Sequence, residues 1–123
     1  MNEMPFNIEN LIGQTVMINP HSLVNKKRLF TTQGGIDMQK LMHAMNGIPD
    51  INVDPPKGWI SVEKHGLIYT AGDGNHRLGL ACIEGGQIPF FIKGIWRIGD
   101  DRYGFNLIIS KISSELRGSM GYV

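Results

Sequence analysis

The chain has 123 residues, of which 41% are hydrophobic and 19% charged, as is usual for one globular domain. Lys and Arg total 12 against 11 Asp and Glu, so the net charge of +1 does not by itself indicate a nucleic-acid partner. No apolar run approaches the ~20 residues that a membrane helix needs. Cys82 is the one cysteine, which excludes an internal disulfide, and the N-terminal segment does not resemble a secretory signal. We therefore expect a cytoplasmic domain, with delivery elsewhere as a secreted effector left open.

The N-terminal half predicts a strand, a loop and a helix. The strand is Thr15–Ile18, closed by Asn19 and Pro20, and a basic loop follows as far as Phe30. Asp37 is a good N-cap for a helix that ends at Asn46-Gly47. Its apolar face is predicted as core, with methionine as filler, and consists of Met38, Leu41, Met42 and Met45.

The second half predicts a hairpin and a strand–turn–helix–strand unit. A short edge strand lies within 51–58, and the hairpin pairs Trp59–Val62 with Leu67–Thr70 across a turn that contains His65. A helix at His76–Glu84 and a strand at Ile88–Ile92 follow. The last third predicts strands at Ile95–Ile98 and Tyr103–Ile109 and a helix at Ser110–Leu116.

The turn Gly72-Asp73-Gly74-Asn75-His76-Arg77 is the most polar part of that unit. A strand that ends in a glycine turn and begins a helix directs unpaired N–H groups and the positive end of a helix dipole at one place, which favours a phosphate. The dinucleotide fingerprint G-x-G-x-x-G fails here, because Arg77 stands at the third glycine position. Arg77 would instead supply a charged bidentate donor.

The other side chains of the turn have both functional and structural interpretations. His76 is a candidate general acid or base, or a half-buried helix residue. Asp73 is a candidate base or metal ligand, or simply the N-cap. Asn75 offers both a donor and an acceptor, and Arg77 could also be a surface arginine paired with Glu84 or another acid.

The segment from Asp73 to Ile92, DGNHRLGLACIEGGQIPFFI, resembles the D-G-[HN]-H-R…A…G…[IV]-P…[IV] pattern of the ParB/sulfiredoxin superfamily. Upstream, INPHSLVNKKRLF is similar to the N-P…R…F segment of ParB-like domains, and WISVEKHGLIYT to their central hairpin. The resemblance implies a small α/β (α+β) fold, with a mixed sheet and short helices. One ParB-like domain would span 1–123, with a core at about 12–94 and a C-terminal β/α extension at 95–123.

The resemblance also implies a function. In this superfamily the turn holds nucleotide or nucleic-acid phosphates, and Asp73, Gly74, Asn75, His76 and Arg77 match its motif. Gly72 would join them at the phosphate, and Lys27 or Arg28 matches an upstream basic position approximately. Sulfiredoxins carry a cysteine at the position of Asn75, so sulfinic-acid reduction is not expected. Chromosome-partitioning ParB proteins add a DNA-binding region that we do not expect in a chain of this length.

Three hypotheses follow from the sequence. The favoured one is a nuclease or phosphoryl-transfer enzyme of the stand-alone ParB-like type found in phage, plasmid and toxin proteins. His76, Asp73 and Arg77 would be its catalytic residues, with Mg²⁺ or another divalent cation and a nucleoside triphosphate as candidate cofactors. The alternatives are a non-catalytic module that binds nucleotide, DNA or RNA, and an accessory factor that binds a protein partner.

Overall fold

Six strands and four α-helices make up the part of the chain that the structure, a computed structural model, describes: residues 7–64 and 66–119. The strands are β1 (Thr15–Ile18), β2 (Leu29–Thr31), β3 (Lys57–Glu63), β4 (Gly66–Asp73), β5 (Ile88–Ile95) and β6 (Tyr103–Gly104). The helices are α1 (Pro20–Asn25), α2 (Met38–Met45), α3 (Asn75–Glu84) and α4 (Asn106–Ser119), and a 3₁₀ helix covers Ile8–Leu11. The predicted α+β class with a mixed sheet and short helices is confirmed.

The strands form one sheet in the order β1-β5-β3-β4-β2-β6. β3 pairs in parallel with β5, and β2 in parallel with β4, while the other pairs are antiparallel. In the β2–β4 pair Leu29 lies opposite Tyr69 and Thr31 opposite Ala71. Because the two strands run in the same direction, their carboxyl ends meet at one edge of the sheet, and the turn into α3 lies there.

The core lies between the sheet and the helices. Ile60, Phe90 and Ile92 from the sheet contribute to it with Leu78 of α3 and Ile108 of α4, and α3 contacts α1, α2 and α4. The C-terminal region therefore contributes to the same core as the rest of the domain. Within the described residues, no helix combines the length and apolar character needed to cross a bilayer.

Several predicted elements are confirmed at their predicted positions. β1 begins and ends as predicted, and Asp37 caps α2, its Oδ1 accepting a hydrogen bond from the Lys40 N–H at 3.1 Å. The two hairpin strands and the strand after α3 are longer than predicted. His65, in the predicted hairpin turn, lies outside the described residues.

The predicted basic loop was wrong in part. Pro20 occupies the first turn of α1, and Asn19 caps that helix by accepting from the Ser22 N–H at 3.0 Å. The Asn-Pro pair therefore ends β1 and also begins a helix, since proline is preorganised for a first helical turn. The loop is interrupted again at its end, where Leu29 and Phe30 belong to β2.

Predictions for the edge strand and the C-terminal third were also wrong. Residues 51–54 form turns rather than a strand. Ile95 belongs to β5, the segment 96–102 contains no strand, and β6 is only Tyr103–Gly104. The run predicted as a strand up to Ile109 instead begins α4, because Ile108 and Ile112 lie four residues apart and are both fully buried on one helix face.

The methionines of α2 do not fill the core as predicted. Leu41 is the buried member of that face, at 1% exposure, whereas Met38, Met42 and Met45 are 42%, 59% and 51% exposed. The helical period was predicted correctly, but the buried stripe of α2 is narrower than the apolar face that the sequence predicts. The remaining apolar side chains of α2 therefore form part of the surface.

Candidate functional site

The turn between β4 and α3 depends on Gly74, which is the N-cap of α3 and adopts a left-handed conformation with φ 78°. A Cβ at this position would meet the Arg77 Nη2 and the Pro56 Cα, each at 2.9 Å. Glycine is therefore required twice over, by the backbone angle and by the close approach of neighbouring groups. Because Asp73 is the last residue of β4 and no side chain caps the helix, the interpretation of Asp73 as the N-cap was wrong.

Gly72 has a different reason to be glycine. Its φ is not positive, and a Cβ there would meet the Trp59 ring, at 2.5 Å from Cζ3 and 2.7 Å from Cη2. Trp59 packs in turn against Trp96, with ring centroids 5.4 Å apart. Gly72 thus admits an indole against the strand, and this packing holds the end of β4 in place.

Asn75 is buried, at 2% exposure, and its side chain joins α3 to β2. Its Oδ1 accepts from the Thr31 Oγ1 at 2.7 Å, and its Nδ2 donates to the Gln33 Oε1 at 3.2 Å. Thr31 Oγ1 also accepts from the Gln33 N–H at 3.0 Å. Both ends of the amide are therefore engaged inside the protein, which fixes the first residue of α3 against the carboxyl end of β2.

His76 also points inward, at 5% exposure, and its Nε2 accepts the Asp37 N–H at 2.8 Å. The ring is therefore neutral, with its proton on Nδ1. Burial lowers the pKa of His76, and the charge of Lys40 lowers that pKa further. A general base needs a free lone pair, and here the lone pair on Nε2 accepts a backbone N–H. This geometry therefore favours a positioning role, in which His76 connects α3 to the start of α2. The catalytic role of His76 stays a prediction.

Arg77 binds backbone carbonyls rather than an acid. Its Nη1 donates to the Pro49 carbonyl at 3.3 Å and to the Asp54 carbonyl. Among the described residues it makes no ion pair, so the predicted alternative of a pair with Glu84 or another acid is wrong. The guanidinium therefore makes no ion pair while it holds the loop 49–54 beside the turn. Its charge acts on the nearby Asp54 carboxylate and helps to lower the pKa of Asp54.

A pocket of about 230 Å³ opens over this turn. Residues 72–77 form one side, and Lys40 and His43 of α2 contribute to the other. The first N–H groups of a helix have no intrahelical partner, so the start of α3 offers donors to this space. Lys40 and Arg77 bring positive charge to the lining, and Asp54 and Asp73 bring negative charge. The N–H donors and the two cations favour an anion at the start of α3.

Lys27 and Arg28, predicted to reach the phosphate, are not brought to this pocket. They precede β2, and Arg28 lies level with Ile68 because its carbonyl accepts the Tyr69 N–H. That level is five residues from the end of β4, or about 16 Å along the strand. Lys27 instead lines a separate cavity beside Phe105. The cation that lines the pocket from another element is Lys40.

The pocket carboxylates differ in their availability. Asp54 accepts from the Lys57 Nζ at 2.5 Å, and this bond lowers the pKa of Asp54. Asp73 is exposed and makes no ion pair with any described residue. Within the described residues, no group of three or more His, Cys, Asp or Glu side chains is placed to hold a metal. Mg²⁺ often uses one carboxylate together with ligand phosphates, and Asp73 fits that arrangement.

Sequence reasoning did not assign Thr31, Gln33 or Lys40 to the site, and it predicted Asp37 only as the N-cap of α2. The signal that could have found the first two is the parallel β2–β4 pair, since residues after neighbouring parallel strands meet at one edge of the sheet. Lys40 carries no such signal, because it is one of several exposed polar residues on α2. Protein-family models, curated proteins and solved structures were all compared with the chain, and none matches it.

Proposed function

We propose that the protein is a ParB-like domain that binds the phosphates of a nucleotide or nucleic acid at the start of α3. The observation that carries the proposal is the uncapped first turn of α3, which opens on a pocket lined by Lys40 and Arg77. The helix N–H groups and the two cations attract an anion. A phosphate has enough oxygen atoms to accept hydrogen bonds from several of these donors at once. The resemblance of residues 73–92 to the ParB motif supports the same ligand class.

The side chains of the turn favour binding over catalysis. Asn75 and His76 use their side-chain atoms inside the protein, so they position the turn and leave its backbone to meet the ligand. This arrangement is consistent with a preorganised cradle, in which donors need little reordering when the anion arrives.

Calorimetric titration with inorganic triphosphate tests this proposal. We expect binding that weakens between about 50 mM and about 200 mM salt, since the contacts are ionic. Lys40→Ala should weaken binding about fivefold to tenfold. Lys111→Ala, which removes an exposed lysine from α4, is the matched control and should leave the affinity unchanged. Equal losses in both variants, or no binding by the wild type, would contradict the proposal.

Hydrolysis of the bound phosphate is the second candidate function, and the exposed Asp73 at the rim of the pocket favours it. In this reaction a water oxygen attacks phosphorus while the Asp73 carboxylate accepts its proton. The bond from phosphorus to the leaving oxygen breaks, and that oxygen takes a proton from solvent. Arg77 and the helix N–H groups would stabilise the charge that develops on the phosphoryl oxygens. Bound with the phosphate, Mg²⁺ would supply further charge neutralisation.

The enzyme hypothesis has a separate test. Phosphate release from the four nucleoside triphosphates and cleavage of labelled DNA and RNA are measured with and without Mg²⁺. Asp73→Asn should abolish turnover and retain triphosphate binding. A wild-type protein that binds triphosphate and leaves every substrate intact would exclude hydrolysis and leave the binding proposal standing.

A further inference from the structure

Gln33 reaches the pocket over the start of α3 from the loop between β2 and α2. It follows the end of β2 closely in the chain and lines the pocket. The cations Lys40 and Arg77 belong to α2 and α3, so Gln33 brings a neutral polar group from another element. A primary amide offers an N–H₂ donor and a carbonyl acceptor, and which of them faces the pocket decides what Gln33 can bind.

Gln33, Thr31 and Asn75 form a closed ring of hydrogen bonds beside the pocket. The Gln33 N–H donates to the Thr31 Oγ1 at 3.0 Å, the Thr31 hydroxyl donates to the Asn75 Oδ1 at 2.7 Å, and the Asn75 Nδ2 donates to the Gln33 Oε1 at 3.2 Å. Thr31 and Asn75 are 0% and 2% exposed, so water competes little for these bonds. Each bond polarises the next, which strengthens a ring whose donors all point in the same direction.

This ring fixes the orientation of the Gln33 amide. Thr31 Oγ1 accepts the Gln33 N–H and gives its own proton to Asn75, so the Asn75 atom nearest to Thr31 is the oxygen. The Asn75 nitrogen therefore faces Gln33, and the Gln33 atom that accepts from it must be the oxygen. The Gln33 Nε2 is left outside the ring with both of its hydrogens. No residue that the structure describes accepts a hydrogen bond from it.

The backbone on either side of Gln33 is also held in place. The Thr32 N–H donates to the Ala71 carbonyl at 3.0 Å, which continues the β2–β4 pairing. On the other side, the Tyr103 ring packs against Gly34, where an added Cβ would lie 3.4 Å from the ring. The Gln33 donor is therefore preorganised, and little conformational freedom is lost when it meets a ligand.

We infer that Gln33 is a ligand-binding residue, whose Nε2 donates to an oxygen of the phosphate that binds at the start of α3, and that Thr31 and Asn75 are its positioning residues. An N–H₂ group donates hydrogen bonds and does not accept them, so it complements the oxygen atoms of an anion. This inference rests on the proposed phosphate site and adds to that site a contact from the loop after β2.

Gln33 differs from the charged residues of the pocket in what it contributes to affinity. Lys40 and Arg77 attract an anion, Asp54 and Asp73 repel it, and salt screens all of these interactions. A neutral amide contributes a directional hydrogen bond to a charged acceptor, and this contribution depends little on salt. The Gln33 contact therefore has an experimental signature of its own.

Side-chain amide NMR of the isotope-labelled protein, titrated with inorganic triphosphate, observes the Gln33 contact directly. The Gln33 N–H₂ signals should shift and saturate with the same apparent affinity as the backbone N–H signals of Asn75 and Arg77. Gln14 and Gln39 are internal controls, since both are exposed and neither lines the pocket. Their N–H₂ signals should stay in place.

Gln33→Ala removes the donor. It should weaken triphosphate binding about tenfold, and by the same factor at about 50 mM and about 200 mM salt, because the lost donor is neutral. Lys40→Ala should instead lose more affinity at the lower salt concentration, since it removes an ionic contact. Gln39→Ala is the matched control and should bind triphosphate as the wild type does. Calorimetric titration measures all three variants.

Thr31 separates a positioning role from a purely structural one. Thr31→Val nearly keeps the shape of the buried side chain but removes the hydroxyl, so the ring opens and triphosphate binding should weaken. Thr31→Ser loses a buried methyl group and keeps the hydroxyl, so it should recover most of the affinity despite a lower melting temperature. Both are compared at a temperature at which their backbone amide spectra show the native fold. If Thr31→Ser proves the weaker binder, the hydroxyl does not position Gln33.

The outcomes separate this inference from the proposed function. If triphosphate shifts the N–H signals of α3 but the Gln33 N–H₂ signals stay in place, the phosphate site stands and the Gln33 contact is overturned. Equal affinities in Gln33→Ala and Gln39→Ala would overturn it in the same way. If triphosphate does not bind to the wild type, the phosphate site is wrong and the inference falls with it. Matching shifts at Gln33 and α3, with a salt-independent loss in Gln33→Ala, are the result that we expect.

Discussion

Arg77 and Arg102 show how the same side chain is used in two different ways in this protein. Arg102 Nη2 donates to the Glu63 Oε1 at 2.7 Å, and its guanidinium lies 4.2 Å from the centre of the Phe30 ring. Both partners of that ion pair are largely buried, with side-chain exposures of 16% and 23%. Arg77 has no carboxylate partner among the described residues and donates to loop carbonyls.

The difference separates a structural arginine from one available to a ligand. A closed ion pair neutralises its own charge and accepts no further anion, so Arg102 is expected to stabilise the sheet. An arginine that binds only carbonyls retains its positive charge, and here that charge lies beside the uncapped end of α3. The availability of charge, rather than the presence of arginine, therefore marks the candidate site.

Replacing each arginine by alanine should produce the largest contrast. Arg102→Ala leaves Glu63 without its partner and should lower the free energy of unfolding by about 3 kcal/mol. Arg77→Ala removes hydrogen bonds to two carbonyls and should cost about 1 kcal/mol. Urea denaturation of both variants measures the difference. Equal destabilisation would mean that Arg77 is as structural as Arg102.

Gly74→Ala should sharpen the distinction at the turn itself. The substitution combines an unfavourable φ with contacts to Arg77 and Pro56, so we expect a loss of about 2 kcal/mol and weaker triphosphate binding. Gly85→Ala is the matched control, since its φ is 86° but a Cβ there has open space. The control should lose about 1 kcal/mol and bind triphosphate normally. If the two variants prove equally stable and bind equally well, the close packing around Gly74 is unimportant.

The pH dependence of stability offers a smaller effect that is specific to the turn. Burial lowers the pKa of His76 below its usual 6.5, so the unfolded chain binds a proton more readily than the native protein does. The neutral His76 ring therefore contributes its full amount to the free energy of unfolding above about pH 6.5. This contribution is lost as the pH falls through the native pKa. Urea denaturation at about pH 7.5 and about pH 5.5 measures this fall.

His76→Gln is the control for that measurement, because glutamine can accept the Asp37 N–H without titrating. In this variant the free energy of unfolding should no longer fall between about pH 7.5 and about pH 5.5. In the wild type Arg102 holds the pKa of Glu63 below its usual 4.5, so Glu63 titrates below this pH range and does not contribute to the fall. A fall of the same size in His76→Gln would assign it to another group.

Met42→Gln should have the smallest effect. Its side chain is 59% exposed, so the change should move the free energy of unfolding by less than about 0.5 kcal/mol. Leu41→Ala, at the buried neighbouring position, is the comparison and should cost about 3 kcal/mol. A large loss of unfolding free energy in Met42→Gln would mean that the methionine face of α2 belongs to the core. That result would contradict the observed packing.

Local signals account for the parts of the fold that the sequence predicted well. Asp37 caps α2 and Asn46 follows its end, while Gly85 terminates α3, and each acts within one helical turn. The strand–turn–helix–strand unit was found for the same reason. The C-terminal strands were mispredicted because a short isoleucine-rich run suits either period, and packing against the rest of the core decides between them.

The candidate site was predicted as one turn of the chain, and its role in binding stays a prediction. The turn from Gly72 to Arg77 was identified from its glycines and polar residues. Which of its side chains face the ligand depends on long-range contacts, such as those of Thr31 with Asn75 and of Asp37 with His76. Likewise, the register of β2 against β4 places Lys27 away from the turn. Such pairings have no signal within the motif itself.

Titration of isotope-labelled protein with inorganic triphosphate, followed by amide NMR, tests the central claim most directly. The N–H signals of Asn75, His76 and Arg77 should shift and saturate with one apparent affinity, and those of Ser61 and Thr70 near Arg102 should stay in place. Arg77→Ala should weaken the shifts, whereas Arg102→Ala should leave them unchanged. Unmoved signals at the turn, or equal shifts around both arginines, would contradict the assignment of the phosphate site.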